Sequence, residues 1–248
     1  MTEQNVLVVT GGSRGIGAAI TRMAAARGDA VAFSYAEDAQ SAEALQRDLA
    51  EAGRKVLAVR ADVSDPAAVR DLFERTEASF GTVTALVNNA GITGPIGPFR
   101  SLELQVLRRV LDVNVLGTIL CSQEAVRRWG RLGTRGQIVN ISSIAATLGA
   151  PHEYVHYAAS KGAVEAFTIG LAKELAPTGT RVNAVSPGTV HTGIHARAGE
   201  PDRPARVVSR VPMGRIGEPD EVAGAVLWLL SAEASYVTGS VLRVSGGL

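Results

Sequence analysis

The chain has 248 residues, of which 46% are hydrophobic and 20% are charged, and its formal net charge is +1. This composition describes a soluble globular protein that can bury a substantial core. A charge so close to zero gives no reason to expect a nucleic acid or an anionic membrane as a partner.

The single cysteine, Cys121, has no partner for an internal disulfide, which fits a reducing cytoplasm. Its neighbours form a helical-looking stretch, so we expect a packed thiol. Residues 2–5 are polar and lead into the apolar run at Val6 without a basic region. Since no apolar run is long enough for a signal sequence or a bilayer span, we expect a cytoplasmic protein without a membrane partner.

Short apolar runs alternate along the chain with longer Ala-rich amphipathic stretches. The predicted strands are residues 6–10, 30–35, 56–61, 85–88, 137–141, 181–186 and 241–244. The predicted helices are residues 15–27, 41–52, 66–80, 102–131, 155–175 and 219–230. Alternation of strand and helix is typical of a parallel sheet that is covered on both faces. We therefore predict a single-domain α/β fold over residues 1–248, a doubly wound Rossmann sheet of about seven parallel strands.

One segment departs from this alternation. Residues 189–210 are rich in glycine, proline and charge, and their hydrophobic periodicity is weak. We predict that this segment is a long excursion from the edge of the sheet that forms a lid.

Glycines fall on the first strand-to-helix turn, at Gly11, Gly15 and Gly17. Missing side chains there let backbone N–H groups approach a pyrophosphate, and the helix N-terminus adds partial positive charge. The spacing differs from G-x-G-x-x-G, and a tight turn that binds nothing is the plain alternative. The turn also matches the nucleophile elbow of esterases around Ser13, but that elbow follows several strands rather than the first one. Dinucleotide binding is the better interpretation.

The residues around the second strand indicate which dinucleotide is bound. NAD is usually held by a carboxylate at the end of this strand, where this chain has Tyr35. Arg14, inside the glycine turn, is placed to face a 2′-phosphate. We therefore predict NADP(H) over NAD(H), although Glu37 and Asp38 lie close by and argue the other way.

Tyr157 and Lys161 are four residues apart in a predicted helix, so they lie on the same face of it. A tyrosine with a pKa of ~10 is a weak base at neutral pH, and lowering this pKa to ~7 takes ~4 kcal/mol. A nearby ammonium in a partly dry site, together with a positive nicotinamide, can supply that energy. The alternative is an ordinary helix with a half-buried tyrosine and a solvent-reaching lysine.

Several ordered motifs, taken together, resemble the short-chain dehydrogenase/reductase family over essentially the whole chain. The matching elements are residues 10–17, Asp62-Val63, residues 88–91, Asn114, Ser142-Ser143, Tyr157-x-x-x-Lys161 and residues 187–189. The ending, residues 214–219 and 236–239, resembles the 3-oxoacyl-acyl-carrier-protein reductase and glucose 1-dehydrogenase branches.

The resemblance implies a role for each matching residue. Tyr157 would be the general acid and base, and Ser143 would hydrogen-bond the substrate oxygen, with Ser142 as the alternative serine. Lys161 would lower the pKa of Tyr157 and hold the nicotinamide ribose, and Asn114 would position a water in a proton relay. The residues expected to contact the cofactor are Gly11, Ser13, Arg14, Gly15, Ile16, Gly17, Tyr35, Asp62, Val63, Asn89, Ala90, Gly91, Tyr157, Lys161, Pro187, Gly188, Val190 and Thr192.

The predicted function is hydride transfer between NADP(H) and a ketone or secondary alcohol, similar to 3-oxoacyl reductases. The alternatives are a sugar dehydrogenase similar to glucose 1-dehydrogenase and a catalytically silent nucleotide sensor. We expect a small-molecule substrate, a homotetramer and, as one option, an acyl-carrier-protein partner.

Other clusters predict less. His191 and His195 are four residues apart but have no matched carboxylate or cysteine nearby, so we expect no metal. The basic cluster Arg127, Arg128, Arg131 and Arg135 predicts a solvated face or a subunit contact.

Overall fold

The computed structural model describes residues 5–248, so the polar residues 2–4 of the predicted N-terminal start lie outside the described residues. In the described chain seven parallel strands form a sheet in the order β3-β2-β1-β4-β5-β6-β7. The strands are β1 (Val6–Val9), β2 (Ala30–Tyr35), β3 (Val56–Arg60), β4 (Ala85–Asn88), β5 (Gln137–Ile141), β6 (Arg181–Pro187) and β7 (Val241–Val244). The predicted doubly wound sheet is confirmed.

Helices connect the strands and cover both faces. They are α1 (Gly15–Ala26), α2 (Ala39–Glu51), α3 (Pro66–Phe80), α4 (Leu104–Leu111), α5 (Gly117–Leu132), α6 (Ala145–Leu148), α7 (Val155–Leu175), α8 (Ile194–Arg197), α9 (Arg203–Val207) and α10 (Pro219–Leu229). Within residues 5–248 no helix combines the length and the hydropathy that a bilayer span needs.

Two helices begin where the sequence supplies an acidic cap. The Asp38 carboxylate accepts a hydrogen bond from the backbone N–H of Ser41 at 3.0 Å, at the start of α2. Asp65 accepts one from Ala67 N–H at 2.8 Å, and Pro66 occupies the first position of α3, where no N–H is needed. These caps place each helix directly after a strand and keep the connections short.

Each central strand is apolar on both faces because helices cover both. In β1, Leu7 and Val9 pack with residues of α1, α2 and α10, whereas Val8 points to the opposite face, toward α3, α5 and α7. The second of these clusters contains Cys121, whose pKa burial raises to about 12, so the thiol is packed as predicted.

The long helix predicted at residues 102–131 is different in the structure. It begins at Leu104, and one wider turn of π-helix (Asp112–Leu116) joins α4 to α5. Hydrophobic periodicity did not reveal this turn because α4 has only 8 residues, too few helical turns for a shift in the pattern to be recognised. The lid, residues 189–210, contains the short helices α8 and α9, which the weak periodicity did not predict.

The predicted basic cluster is also corrected at one residue. The Arg128 guanidinium donates to Glu124 at 2.7 Å and also pairs with Glu77, and its side chain is mostly buried. Arg128 therefore joins α5 to α3 instead of contributing to a solvated basic face.

Phe73 and Phe99 offer a matched test of where the core lies. Phe73 is fully buried between α3 and the sheet, whereas Phe99 is 70% exposed. We expect Phe73→Ala to lower the free energy of unfolding by about 3–5 kcal/mol because it opens a cavity. Urea unfolding measures this change, and Phe99→Ala should stay within about 0.5 kcal/mol of the parent protein. Equal losses in the two variants would contradict this assignment of the core.

Candidate active site

A cavity of about 600 Å³ lies at the carboxyl ends of the strands, beside the point where the strand order reverses between β1 and β4. This is where ligands bind in open α/β sheets. Its wall includes all the predicted site residues except Gly17 and Asn114, namely Gly11, Ser13, Arg14, Gly15, Ile16, Tyr35, Asp62, Val63, Asn89, Ala90, Gly91, Ser143, Tyr157, Lys161, Pro187, Gly188, Val190 and Thr192.

The glycines of the first turn meet two different needs. Gly11 and Gly15 have φ values of +62° and +54°, in the left-handed region that favours glycine. Gly17 lies under the turn, where a Cβ atom would come within 2.5 Å of Asn89 Nδ2 and closer still to the carbonyl oxygen of Gly11. The turn is thus a tight cradle of backbone N–H groups at the start of α1.

Asn89 fastens this turn to the end of β4. Its side-chain amide donates to the carbonyl oxygens of Thr10 at 3.0 Å and Gly11 at 2.9 Å. In return, the Thr10 hydroxyl accepts hydrogen bonds from the backbone N–H groups of Asn89 and Ala90, both at 3.0 Å. The nitrogen of the Asn89 side-chain amide is therefore used to hold the turn.

Asp62, expected at the adenine end, is held by a residue that the sequence did not single out. Arg109 on α4 donates to Asp62 Oδ2 at 2.7 Å and to the Ser64 hydroxyl at 2.9 Å. Burial raises the pKa of the Asp62 carboxyl, but the hydrogen bonds from Ser64 and Arg109 outweigh burial and lower the pKa overall. Asp62 is therefore an anion with a fixed orientation.

The side chains near the end of β2 have mixed charge. Tyr35 is half-buried in the cavity wall, and Arg14 Nη1 lies 3.3 Å from Asp38 Oδ2. Asp38 is the residue that caps α2, so the cap and the ion pair use its two carboxylate oxygens separately. Arg14 is thus held at this end of the cavity by a carboxylate that a phosphate would compete with.

The predicted acid/base residues converge at the other end of the cavity. The Ser143 hydroxyl lies near enough to Tyr157 to lower the pKa of its phenol, and Lys161 Nζ lies 5.7 Å from the centre of the Tyr157 ring. The neighbouring serine has a different role, since the Ser142 hydroxyl donates to Glu165 Oε1 at 2.7 Å. The structure thus places Ser143, and not Ser142, beside the tyrosine.

Burial dominates the ionisation of this pair. Burial raises the pKa of Tyr157, and the hydrogen bond from Ser143 and the charge of Arg203 oppose it. Burial also lowers the pKa of Lys161 to about 8, while its ammonium donates to the carbonyl oxygen of Ile141 at 2.7 Å. In the protein without a bound cofactor, burial therefore outweighs the lowering influences on the pKa of Tyr157, and the lowering by Lys161 together with a positive nicotinamide stays a prediction.

Asn114 lies behind the cavity wall, in the π-helical turn. Its side chain accepts a hydrogen bond from Ile92 N–H and donates to Ile92 O, both at 2.9 Å, and it also donates to the Ser160 hydroxyl at 2.9 Å. A Cβ atom on Gly91 would lie 3.4 Å from both Asn114 Oδ1 and Lys161 Nζ, so these two groups face the same point. The expected proximity of Asn114 and Lys161 is present.

The lid is joined to the loop before α7 by ion pairs. Glu153 Oε2 accepts from Arg203 at 2.7 Å and Glu153 Oε1 accepts from Arg206 at 2.7 Å. The Arg203 guanidinium lies 5.2 Å from the centre of the Tyr154 ring, which packs edge-on against Tyr157 at 5.3 Å. The lid therefore contacts Tyr157 indirectly, through Arg203 and Tyr154. No motif in the sequence indicates this connection.

The two lid histidines do not face a common point. His195 is buried, with Nε2 3.2 Å from the carbonyl oxygen of Val190, and His191 is exposed, with Nε2 3.8 Å from Glu218. In residues 5–248 there is no group of three or more His, Cys, Asp or Glu side chains arranged to hold a metal ion.

Comparison with known proteins identifies the family. The sequence profile of the family described as "Enoyl-(Acyl carrier protein) reductase" matches residues 11–248. The chain belongs to the short-chain dehydrogenase/reductase family.

Similar proteins cover nearly the whole chain. It is 45% identical over 244 residues to the uncharacterized oxidoreductase YgfF of Escherichia coli (strain K12), which covers 98% of this chain and 99% of that protein. It is 41% identical to the cis-4-hydroxycyclohexanecarboxylate dehydrogenase of Sinomonas cyclohexanicum, with 98% and 96% covered. Among solved structures, a short chain dehydrogenase from Burkholderia cenocepacia J2315 in complex with NADP superposes with a TM-score of 0.91 at 37% identity, with 100% and 99% covered.

The buried ammonium of Lys161 should make stability depend on pH. Its folded-state pKa of about 8 lies below the ordinary 10.5, so between these values the unfolded chain binds more protons and stability rises with pH. At ~1.36 kcal/mol per pKa unit, the full rise attributable to Lys161 is about 3 kcal/mol. We expect this rise to be absent in Lys161→Met.

The measurement is urea unfolding at several pH values between 7 and 10, expressed as the difference between parent and variant. Other groups that titrate in this range cancel in that difference. Lys173→Met, on the exposed side of the same helix, is the control and should give a difference that does not vary with pH. A constant difference for Lys161→Met as well would show that the lysine is not desolvated.

The ion pairs of Glu153 should hold the lid in place. Glu153→Gln leaves Arg203 and Arg206 without their shared carboxylate, so the amides of α9 should exchange with solvent about tenfold faster. Hydrogen exchange followed by mass spectrometry measures this rate. Glu200→Gln removes an ion pair that Arg206 makes within the lid itself, and it should change the rate much less. Equal acceleration in both variants would contradict the assignment of Glu153 as the anchor.

Proposed function

We propose that the chain is an NADP(H)-dependent oxidoreductase that transfers hydride between the nicotinamide and a ketone or secondary alcohol. The observation that carries this proposal is the convergence of Ser143, Tyr157 and Lys161 in the same cavity as the glycine turn. A dinucleotide bound by its phosphates at the turn would extend along the cavity toward the tyrosine.

The chemistry divides between cofactor and protein. The nicotinamide supplies or accepts the hydride. In the reductive direction the Tyr157 hydroxyl donates a proton to the oxygen that becomes an alkoxide, and the Ser143 hydroxyl donates a second hydrogen bond to the same oxygen. In the oxidative direction Tyr157 must accept the proton, and the positive charge of Lys161 favours the phenolate this produces.

Asn114 and Lys161 would return the proton to solvent. They face the same point beside Gly91, and Lys161 has a pKa of about 8, so its ammonium can lose a proton near neutral pH. A carboxamide does not ionise, so Asn114 would act by holding a water, while Ile92 and Ser160 fix the position of its side chain.

NADP(H) is the cofactor we propose, on two grounds. The Arg14 side chain reaches from the glycine turn to Asp38, which follows β2 where the ribose 2′-position is expected, and a guanidinium suits a phosphate. The Burkholderia cenocepacia dehydrogenase, which this chain matches over its full length, was solved in complex with NADP. The expected contacts of Ser13, Ile16, Val63, Ala90 and the other cofactor residues belong to this proposal.

The substrate side of the cavity favours a ketone or alcohol with an apolar body. Its wall there consists mainly of apolar side chains, including Ile144, Leu148, Ile194 and Val207. Such a wall offers few partners for the several hydroxyls of a sugar, which argues against the glucose 1-dehydrogenase alternative. A 3-oxoacyl chain and the ring alcohol named for the Sinomonas relative both fit an apolar wall, and an acyl-carrier-protein partner is proposed with the first of these.

For the whole molecule we propose a cytoplasmic, single-domain homotetramer. Large apolar side chains are exposed on α4, α5 and α10, as expected of faces that meet other subunits. They include Leu104 at 56%, Leu132 at 59% and Trp228 at 43% exposure. Light scattering coupled to size-exclusion chromatography tests the tetramer.

Tyr157→Phe tests the proposed chemistry. Without the hydroxyl no proton reaches the alkoxide, so kcat should fall by about 10²–10⁴-fold while the Kd for NADPH stays near that of the parent. Turnover is followed at the nicotinamide absorbance with a panel of cyclic ketones, 3-oxoacyl thioesters and aldoses. Retained turnover would refute the role of Tyr157, and a parent protein that binds NADPH but reduces nothing in a broad panel would favour the nucleotide sensor.

Gly17→Ala tests the glycine cradle. The added methyl would push against Asn89 and Gly11, so the turn must open and NADPH binding should weaken by at least about tenfold. Fluorescence titration with NADPH gives the Kd. Gly130→Ala, in α5 where a Cβ meets nothing within 4 Å, is the control and should bind NADPH like the parent. Unchanged binding by Gly17→Ala would contradict the placement of the pyrophosphate at this turn.

A further inference from the structure

Arg197, at the end of α8 in the lid, has a charge that the protein alone does not neutralise. It lines the cavity, yet its guanidinium donates no hydrogen bond to any residue in the described range 5–248. Burial and the nearby charge of Arg14 lower the pKa of Arg197, and Asp38 partly offsets them. Asp38 is thus within electrostatic range of two guanidinium groups, but it pairs directly only with Arg14.

The Asp38 carboxylate has too few free oxygen atoms to form ion pairs with both Arg14 and Arg197. One oxygen of Asp38 accepts the hydrogen bond that caps α2, and the other pairs with Arg14 at 3.3 Å. The guanidinium groups of Arg14 and Arg197 repel each other, and the single charge of Asp38 does not balance both. A ligand group with two negative charges, bound between the two arginines, would attract both of them. A phosphate monoester carries about −1.5 to −2 charges at pH 7 and accepts bidentate hydrogen bonds from arginine.

The position of the pair indicates which phosphate it would bind. A pyrophosphate is expected at the glycine turn, on the backbone N–H groups of α1. Arg197 lines the same cavity as Arg14 and Asp38 and is within electrostatic range of both, and Asp38 follows β2, where the ribose 2′-position is expected. The charge of the pair is therefore on the side of the 2′-phosphate.

The lid packs on the glycine turn. Thr192 packs against Gly15, where an added Cβ would lie 3.2 Å from the Thr192 methyl group. Arg197 Nη1 in turn lies beside Gly193, 3.3 Å from where a Cβ would stand. The Arg197 side chain thus folds back over Gly193, next to the residue that packs on the glycine turn.

We propose that Arg197 is a specificity-determining residue, which binds the 2′-phosphate of NADP(H) together with Arg14 and so fastens the lid on the phosphorylated cofactor. The inference rests on the proposed function for the identity of the cofactor. Its consequence is that the lid distinguishes NADP(H) from NAD(H), although its sequence neighbours contribute to the substrate side of the cavity.

The test measures binding, not turnover. In Arg197→Gln the Kd for NADPH should rise about tenfold, the cost of one charge-assisted hydrogen bond, while the Kd for NADH stays unchanged. Nicotinamide fluorescence gives both values, and competition by 2′,5′-ADP against ADP repeats the comparison without the nicotinamide. Arg210→Gln, a second lid arginine that lines the cavity, is the control and should change neither Kd.

Each other outcome overturns the proposal. An equal rise for NADPH and NADH would place Arg197 on the pyrophosphate, and no rise for either would exclude a contact with phosphate. These outcomes are independent of the proposed chemistry, because Tyr157→Phe tests turnover in a protein whose cofactor binding is intact. A selective effect of Arg197→Gln in a protein without turnover would preserve this inference and refute the catalytic proposal.

Discussion

The structure of this site depends on the junction between β1 and β4. There the sheet reverses its strand order, and hydrogen bonds between Thr10 and Asn89 hold the ends of the two strands at a fixed separation. The same bonds fix the carbonyl of Gly11, and so they fix the direction in which the backbone N–H groups of the first turn point. Loss of these hydrogen bonds would let the glycine turn separate from the loop after β4, which carries Gly91.

The lid connects the two halves of the cavity. At one end Thr192 lies against the glycine turn, and at the other Arg203 is paired with Glu153 beside the tyrosines. A segment of 22 residues, 189–210, thus contacts the cofactor end and the acid/base end at once. Ligands bound at the two ends would therefore both contact this segment, which would provide a route for coupling between them.

Much of this arrangement could be predicted because it depends on the spacing of residues that are close together in the sequence. The glycine turn, the four-residue separation of Tyr157 and Lys161, and the alternation of strands with helices each depend on residues close together in sequence. The cavity brings these groups together as predicted, while their catalytic and binding roles stay predictions.

What could not be predicted depends on residues that are distant in sequence. Arg109 and Asp62 are 47 residues apart, and Arg203 and Glu153 are 50 apart, so no motif links them. The direction of the shift in the pKa of Tyr157 could not be predicted from the sequence either. It depends on how completely the folded protein excludes water from the hydroxyl. Neighbour identity indicated a lowered pKa, whereas desolvation raises it in the protein alone.

The π-helical turn at Asp112–Leu116 makes the length of this segment as important as its residues. Each residue of an α-helix turns the chain by about 100°, so a one-residue deletion here would rotate α4 against α5 by about that angle. Val110, which is fully buried on α4, would then face solvent, or Asn114 would leave Ile92. Natural or engineered changes should therefore accept substitutions on the outer face of this helix far more readily than the loss of one residue within it.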